Sequence, residues 1–139
     1  MAKKKNRLPY IGVDLGGTKI LAAVVSPKGE IISEAKNATR PEEGPEVVIA
    51  RVAETVRQAA GAAELPLKKV GGVGVGAPGV VDADKGVVRF APNLTFWQEV
   101  PLAKKLKKQL DCPVVIGNDV DVATYGEYAL GAGARCKNV

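Results

Sequence analysis

The chain has 139 residues and a net charge of +5, and 46% of its residues are hydrophobic. This length is sufficient for one globular domain with a buried core that needs no cross-links. The sequence contains no histidine, which excludes histidine-based catalytic triads and histidine metal sites within these residues.

The two cysteines, Cys112 and Cys136, do not have the spacing of a metal-binding motif. Such sparse cysteine usage is typical of a reduced, cytoplasmic protein rather than of a disulfide scaffold. No apolar run reaches the roughly 18 residues of a membrane-spanning helix, and the basic start lacks the apolar segment of a signal peptide. We therefore expect a cytoplasmic location and no association with a membrane.

The positive charge is concentrated in two clusters of Lys and Arg. Residues 3–7 are expected to form a disordered basic tail. In residues 104–108 the lysines alternate with Leu102, Leu106 and Leu110, which recur at helical spacing, so the lysines are predicted to lie on the solvent face of a helix. Aromatic residues, which stack on bases, make up only 4% of the chain. We expect no binding to nucleic acid.

In chain order, the apolar patterns predict three strands in an antiparallel meander, then helices that alternate with further strands. A meander followed by strand–helix–strand crossovers predicts a mixed sheet with helices on its faces. The predicted strands are residues 8–15, 20–26, 30–37, 69–76 and 113–117, with a turn over 26–29 and a hairpin over 80–88, and the predicted helices begin at Glu46, Pro101 and Val120.

The turn between the first two predicted strands has the sequence DLGGTK, which carries more polar and charged groups than a turn requires. The adjacent Gly16 and Gly17 allow backbone N–H groups to approach an anion closely. Thr18 adds a hydroxyl donor, and Lys19 adds a positive charge. Asp14 would repel a phosphate directly but could hold Mg²⁺ beside it, usually through water. The alternative is an ordinary turn in which Asp14 caps a backbone amide.

Two glycine patterns are similar to known phosphate motifs but lack the structural context that those motifs need. Residues 74–79 match the dinucleotide-binding pattern, yet a predicted hairpin follows where that motif requires a helix. Residues 12–19 are similar to a P-loop, but Thr and Lys are reversed and a strand follows. We expect neither a dinucleotide site nor a P-loop.

Asn118 and Asp119 directly follow a short apolar strand, at the point where open α/β sheets bind ligands. One alternative is helix capping, for which both residue types are favoured. The other is chemical, because a carboxylate placed there can accept a proton from a hydroxyl nucleophile during phosphoryl transfer. Asp121 falls inside the predicted helix and is expected to be a charge of its first turn.

A third candidate site is the loop rich in glycine and proline at residues 76–79, together with Asn93 and Trp97. A rigid loop of this composition can bring its backbone against a small ligand. The alternative for Trp97 is that its ring only closes an edge of the core.

Taken together, these segments resemble the ROK family of repressors, open reading frames and kinases, and in particular its bacterial glucokinases. The resemblance rests on residues 11–19, 74–82, 93–97 and 118–127, which occur in the family's order and spacing. It covers nearly the whole chain.

The resemblance implies an actin-like ATPase fold, related to ribonuclease H, as one of two domains that close over ATP and a sugar. In that reading the DLGGTK turn is the first phosphate motif, with Asp14 on the Mg²⁺ side. Asp119 is the general base that takes the proton from the 6-hydroxyl of glucose, and Asn118 hydrogen-bonds neighbouring hydroxyls. Gly79 and Asn93 match positions near the sugar.

Family members are much longer than this chain, and their adenosine site and zinc loop have no counterpart in it. We therefore expect residues 1–8 to be a basic tail and residues 9–139 to be the amino-terminal domain, with the carboxyl-terminal domain absent. The expected partners are glucose or a related hexose, ATP, and either the missing domain or a second copy. The oligomeric state is left open, with a homo-oligomer among the alternatives.

Two other functions remain possible on the sequence alone. The first is a sugar-responsive repressor of the same family, which needs a helix-turn-helix module ahead of this domain. The second is an actin-like nucleotide-binding module without transfer activity. The pair Asn118-Asp119 favours the kinase over both.

Overall fold

The computed structural model describes residues 8–118, which form two β-sheets and two α-helices. Residues 1–7 of the predicted tail, the residue Asp119 and the helix predicted from Val120 lie outside the described residues. Neither described helix is both long and apolar enough to cross a membrane.

The strands and helices follow the predicted order, and their bounds differ from the predictions by only a few residues. Short 3₁₀ turns lie at Pro41–Glu43 and Leu67–Lys69. The elements are β1 (Tyr10–Leu15), β2 (Lys19–Val25), β3 (Ile31–Ala38), α1 (Pro45–Ala62), β4 (Gly72–Ala77), β5 (Val80–Asp82), β6 (Val87–Phe90), β7 (Gln98–Val100), α2 (Leu102–Leu110) and β8 (Val114–Asn118).

The main sheet has five strands in the order β3-β2-β1-β4-β8. The first three strands form an antiparallel meander, whereas β4 pairs in parallel with both β1 and β8. The turn between β2 and β3 is closed by a hydrogen bond of 2.9 Å from the N–H of Gly29 to the carbonyl oxygen of Ser26. The predicted meander, its turn and the mixed sheet are confirmed.

A smaller antiparallel sheet of β5, β6 and β7 lies between β4 and α2 in the chain. Its first two strands are the predicted hairpin. Its third strand was not predicted, because three residues that end at a proline show neither a run of apolar residues nor a clear alternation.

The side chains on one face of the main sheet form the sheet's part of the hydrophobic core. Ile11 and Val13 of β1 lie beside Val73 and Val75 of β4. Residues paired in this way point to the same side of a sheet, and all four are buried. The alternate positions, which carry glycines and Asp14, point to the opposite face.

The two helices complete the core. Pro45 begins α1, a position where proline is tolerated because its missing N–H has no partner inside the helix. α2 packs beside α1 and ends at Asp111, whose left-handed backbone (φ 54°) terminates the helix. The buried apolar positions recur at helical spacing and are Val48, Ile49, Val52, Ala53, Val56, Ala59 and Ala60 in α1 and Leu102, Leu106 and Leu110 in α2. The predicted helix with a lysine-rich outer face is thus confirmed.

Candidate functional site

The carboxyl ends of β1, β4 and β8 lie side by side at one end of the main sheet. Asp14 of β1 is paired with Gly76 of β4, and Gly76 is paired with Gly117 of β8. Since neighbouring strands are about 4.8 Å apart, the backbones at Asp14 and Gly117 are separated by about 10 Å. The residue of β4 that lies between them is Gly76, which carries no side chain.

Asn118 ends β8 and is paired with Ala77 of β4. Its side chain is exposed, as is that of Asp14. The structure therefore brings Asp14 and Asn118 to the same end of the sheet, although about 100 residues separate them in the sequence. Asp119, the predicted catalytic base, follows Asn118 in the sequence and lies outside the described residues.

The turn between β1 and β2 is closed by a hydrogen bond of 3.0 Å from the N–H of Gly16 to the carbonyl oxygen of Lys19. Within residues 8–118, the N–H groups of Gly17 and Thr18 have no acceptor. Lys19 and Asp14 are exposed and form no ion pair with any other described residue. The turn thus presents two backbone donors, a hydroxyl and an ammonium group, as an anion site requires.

Thr39, which directly follows β3, supports this turn from behind. Its N–H donates to the carbonyl oxygen of Thr18 at 2.9 Å, and its hydroxyl donates to the carbonyl oxygen of Gly16 at 2.7 Å. Thr39 is fully buried. These two hydrogen bonds hold the turn through its carbonyl groups and use none of its N–H donors. Sequence reasoning missed this residue, and the only available signal was its place opposite the turn in the predicted meander.

Asn93 lies against the same turn. A Cβ atom added to Gly17 would lie 3.3 Å from the Cβ of Asn93 and 3.5 Å from its carbonyl oxygen. This contact is tighter than ordinary van der Waals packing, so a side chain at position 17 would displace Asn93. The structure therefore brings together a predicted phosphate-binding residue and a predicted sugar-binding residue.

The backbone conformation and the close packing at position 79 require glycine. Its φ of +86° lies in the left-handed region, and an added Cβ would lie 2.8 Å from the Cα of Ala91 and closer still to the carbonyl oxygen of Phe90. This requirement is structural and explains the glycine without a ligand. A role for Gly79 near the sugar remains a prediction.

The loop between β6 and β7 holds Trp97 in the core. The N–H of Ala91 donates to the carbonyl oxygen of Trp97 at 3.2 Å, which closes the loop. Trp97 is 1% exposed, and its indole N–H has no acceptor in the described part of the chain. This burial favours the alternative in which Trp97 closes an edge of the core. Phe96, beside it, is 79% exposed.

A magnesium ion fits this end of the sheet, although the described residues contain no cluster of three or more potential metal ligands. Mg²⁺ is usually held by one or two carboxylates, together with water and the phosphates of a substrate. The exposed carboxylate of Asp14, next to the anion-binding turn, meets that requirement.

Comparison with known proteins agrees with this geometry. The model of the ROK family matches residues 10–139. A glucokinase of Thermotoga maritima is 40% identical over 127 residues, which are 91% of this chain and 38% of that protein. A putative xylose repressor of Caldicellulosiruptor sp. is 35% identical over 127 residues, which are 91% of this chain and 32% of that protein.

Solved structures show the same fold. The structure of a ROK family glucokinase from Streptomyces griseus, in complex with glucose and AMPPNP, is similar with a TM-score of 0.74 and 40% identity, over 90% of this chain and 38% of that chain. A ROK hexokinase from Thermus thermophilus has a TM-score of 0.76 and 33% identity, over 87% of this chain and 38% of that chain. The chain therefore spans 38% of the length of these kinases.

Proposed function

The chain belongs to the ROK family, and we propose that it forms the amino-terminal part of a kinase that transfers the γ-phosphoryl group of ATP to the 6-hydroxyl of glucose. Two findings on relatives support this activity: the 40% identity with a glucokinase and the similarity to a glucokinase solved with glucose and AMPPNP, an analogue of ATP. The observation that carries the proposal is the register that brings Asp14 and Asn118 to one end of the sheet.

In this proposal the turn between β1 and β2 binds phosphate. The free N–H groups of Gly17 and Thr18 and the hydroxyl of Thr18 donate to phosphate oxygens, while Lys19 supplies positive charge and Gly16 permits the close approach. Asp14 holds Mg²⁺ through water. When bound, the ion would offset the negative charge of the phosphates.

The proposed sugar site begins at the end of β8. Asn118 hydrogen-bonds hydroxyls of the hexose. Asp119 accepts the proton of the 6-hydroxyl while the oxygen of that hydroxyl attacks the γ-phosphorus. The new O–P bond forms while the bond to the β-phosphate oxygen breaks, and ADP leaves. Asn93 and Gly79 contribute to the sugar side. Because Asn93 packs against Gly17, the sugar and phosphate sites would be held at a fixed separation.

Catalysis of this kind depends on positioning both substrates, and the described residues form only one wall of a cleft. We therefore propose that residues 9–139 act together with a carboxyl-terminal domain that carries the adenosine site and any zinc loop, and that residues 1–8 are a basic tail. A cytoplasmic location belongs to the same proposal.

A sugar-responsive regulator is the second candidate function, and the similarity to a putative xylose repressor favours it. A regulator would bind a sugar without needing a proton acceptor at position 119. Replacement of Asp119 therefore separates the two functions, since it would abolish phosphoryl transfer but leave regulatory sugar binding largely intact. A nucleotide-binding module without transfer activity would bind ATP in either case.

The test is a coupled assay for glucose 6-phosphate with Mg·ATP and glucose. The chain is assayed alone and with a separately produced carboxyl-terminal half of a ROK glucokinase, each with Asp119→Asn as the control. We expect transfer that requires the added half and disappears in the control. Sugar binding without transfer in every mixture of folded protein would refute the kinase and favour the regulator.

Asp14→Asn tests the phosphate side independently. In calorimetric titration with ATP, the variant should lose the gain in affinity that Mg²⁺ gives the unmodified chain. Asp84→Asn, which removes the same charge at an exposed position between β5 and β6, is the matched control and should keep that gain. An Asp14→Asn variant with an unchanged dependence on Mg²⁺ would show that Asp14 does not hold the ion.

A further inference from the structure

The outer edge of β3 is long, and the strand is hydrogen-bonded to α1. β3 is the terminal strand of the main sheet within the described residues and has 8 residues. Side-chain hydrogen bonds hold it to α1: the Ser33 hydroxyl donates to the carbonyl oxygen of Ala59 at 2.6 Å, and the Asn37 amide donates to the Thr55 hydroxyl at 2.7 Å. A strand edge of this kind presents N–H and C=O groups to which another strand can pair.

The charges on β3 are complementary to themselves in one antiparallel register. Glu34 and Lys36 point to the same, exposed face of the strand, on either side of Ala35. If two copies of β3 pair around a twofold axis at Ala35, Glu34 of each copy lies opposite Lys36 of the other. Opposite charges in such cross-strand positions stabilise the pairing.

Neighbouring registers place like charges together. Residues directly opposite each other in an antiparallel pair lie on the same face of the sheet. The twofold axis must therefore pass through a residue, and neighbouring registers differ by moving the axis one residue along β3. With the axis at Glu34, that carboxylate faces its own copy, and with the axis at Lys36, two ammonium groups face each other. Both arrangements are destabilising.

The Ala35 register pairs residues 33–37 of the two copies across the axis, and regular pairing ends before Ile32, where the register of β3 against β2 shifts. Ile31 and Ile32 are 61% and 53% exposed, which is unusual for residues of this type at an edge strand. Pairing in this register would place the end of the second copy's strand beside that apolar surface.

We propose that two copies of this chain associate through β3, antiparallel and with the twofold axis at Ala35, so that their main sheets join into one sheet of ten strands. The partner is a second copy because the strand is complementary to its own charge pattern. This association does not depend on the proposed kinase activity.

The first experiment is sedimentation velocity of the chain over a range of concentrations, combined with charge reversal. Each dimer contains two Glu34–Lys36 pairs, so Glu34→Lys or Lys36→Glu alone should raise the dissociation constant roughly tenfold or more. An equimolar mixture of the two variants should associate as the unmodified chain does, and so should the double variant. Glu42→Lys, an exposed change of the same charge outside β3, is the control.

The second experiment detects the axis directly by cross-linking. Two residues on the axis have Cα atoms about 4.5–5.5 Å apart, within disulfide range. In a Cys136→Ser background, Ala35→Cys should form a covalent dimer under mild oxidation, and Ala38→Cys on the same strand should not.

Circular dichroism confirms that each variant is folded. A chain that stays monomeric at all concentrations, a dimer that is indifferent to both charge reversals, or equal cross-linking at positions 35 and 38 would each overturn the proposal.

Discussion

Gly79 and Gly29 offer a matched pair that separates two reasons why a position requires glycine. Their φ angles are nearly equal, at +86° and +89°. A Cβ added to Gly29 meets no atom within 4 Å, whereas one added to Gly79 lies 2.8 Å from the Cα of Ala91 and closer to the carbonyl oxygen of Phe90. Alanine at either position is therefore strained by the positive φ, but only position 79 adds a clash with backbone.

The strain of a left-handed residue costs about 1–2 kcal/mol, and forcing extra volume into packed structure costs about 1–3 kcal/mol more. We therefore expect Gly29→Ala to lower the free energy of unfolding by about 1–2 kcal/mol and Gly79→Ala by about 2–5 kcal/mol. The larger loss is a substantial part of the stability of a typical domain. Urea unfolding of the unmodified chain and of the two variants, monitored by circular dichroism, measures both losses.

Equal losses at the two positions would refute the reasoning, since they would show that the loop at residues 78–80 moves away from β6 at little cost. In that case the glycine would need another explanation, such as the close approach of a ligand. If Gly79→Ala is too unstable to be isolated while Gly29→Ala folds, the order of the two effects is still established.

Three further predictions concern single side chains. Thr39→Val removes the hydroxyl that donates to Gly16 and should lower the free energy of unfolding by about 1–2 kcal/mol; Thr39→Ser keeps that donor and should lose less, and the reverse order in urea unfolding would contradict this role. Burial raises the pKa of Cys112 above its usual 9.0. The unfolded chain therefore releases that proton first, and stability should fall as the pH rises above about 9. In unfolding measurements from ~pH 8 to ~pH 10, Cys112→Ala should lose less stability than the unmodified chain, and an equal loss would remove this explanation. Lys105 and Glu46 form a surface ion pair of 2.8 Å, so Glu46→Gln should change the free energy of unfolding by less than about 1 kcal/mol; a larger shift in thermal unfolding would indicate a buried interaction.

The sequence predicts the features of this fold that depend on residues close together in the chain. Apolar runs, turn glycines and helical spacing were enough to predict the meander, both described helices and the parallel strand at Val114–Asn118. The third strand of the small sheet was missed because its residues carry no local signal. Thr39 was missed for a different reason, since its bond to Gly16 joins residues 23 positions apart.

The candidate site shows the same division. The DLGGTK turn and the pair Asn118-Asp119 could be recognised from residue types, because each segment is contiguous. That Asp14 and Asn118 lie at the same end of the sheet could be expected only from the sheet order, which follows from the crossover connections. The contact between Asn93 and Gly17 has no signature in the sequence, because it depends on how the loop after β6 packs against the turn.

Two glycines of the central strands, Gly12 and Gly74, are not explained by packing among the described residues. β4 carries glycine at every position on the face of Asp14, and glycine weakens a strand because it has no side chain to pack. A Cβ at Gly12 meets no atom within 4 Å, and one at Gly74 meets only Val115 at 3.9 Å. Packing among the described residues therefore does not require glycine at either position. Glycine in a strand interior often marks the close approach of a ligand or another segment of backbone, so these positions are better explained by something outside the described residues that lies against this face.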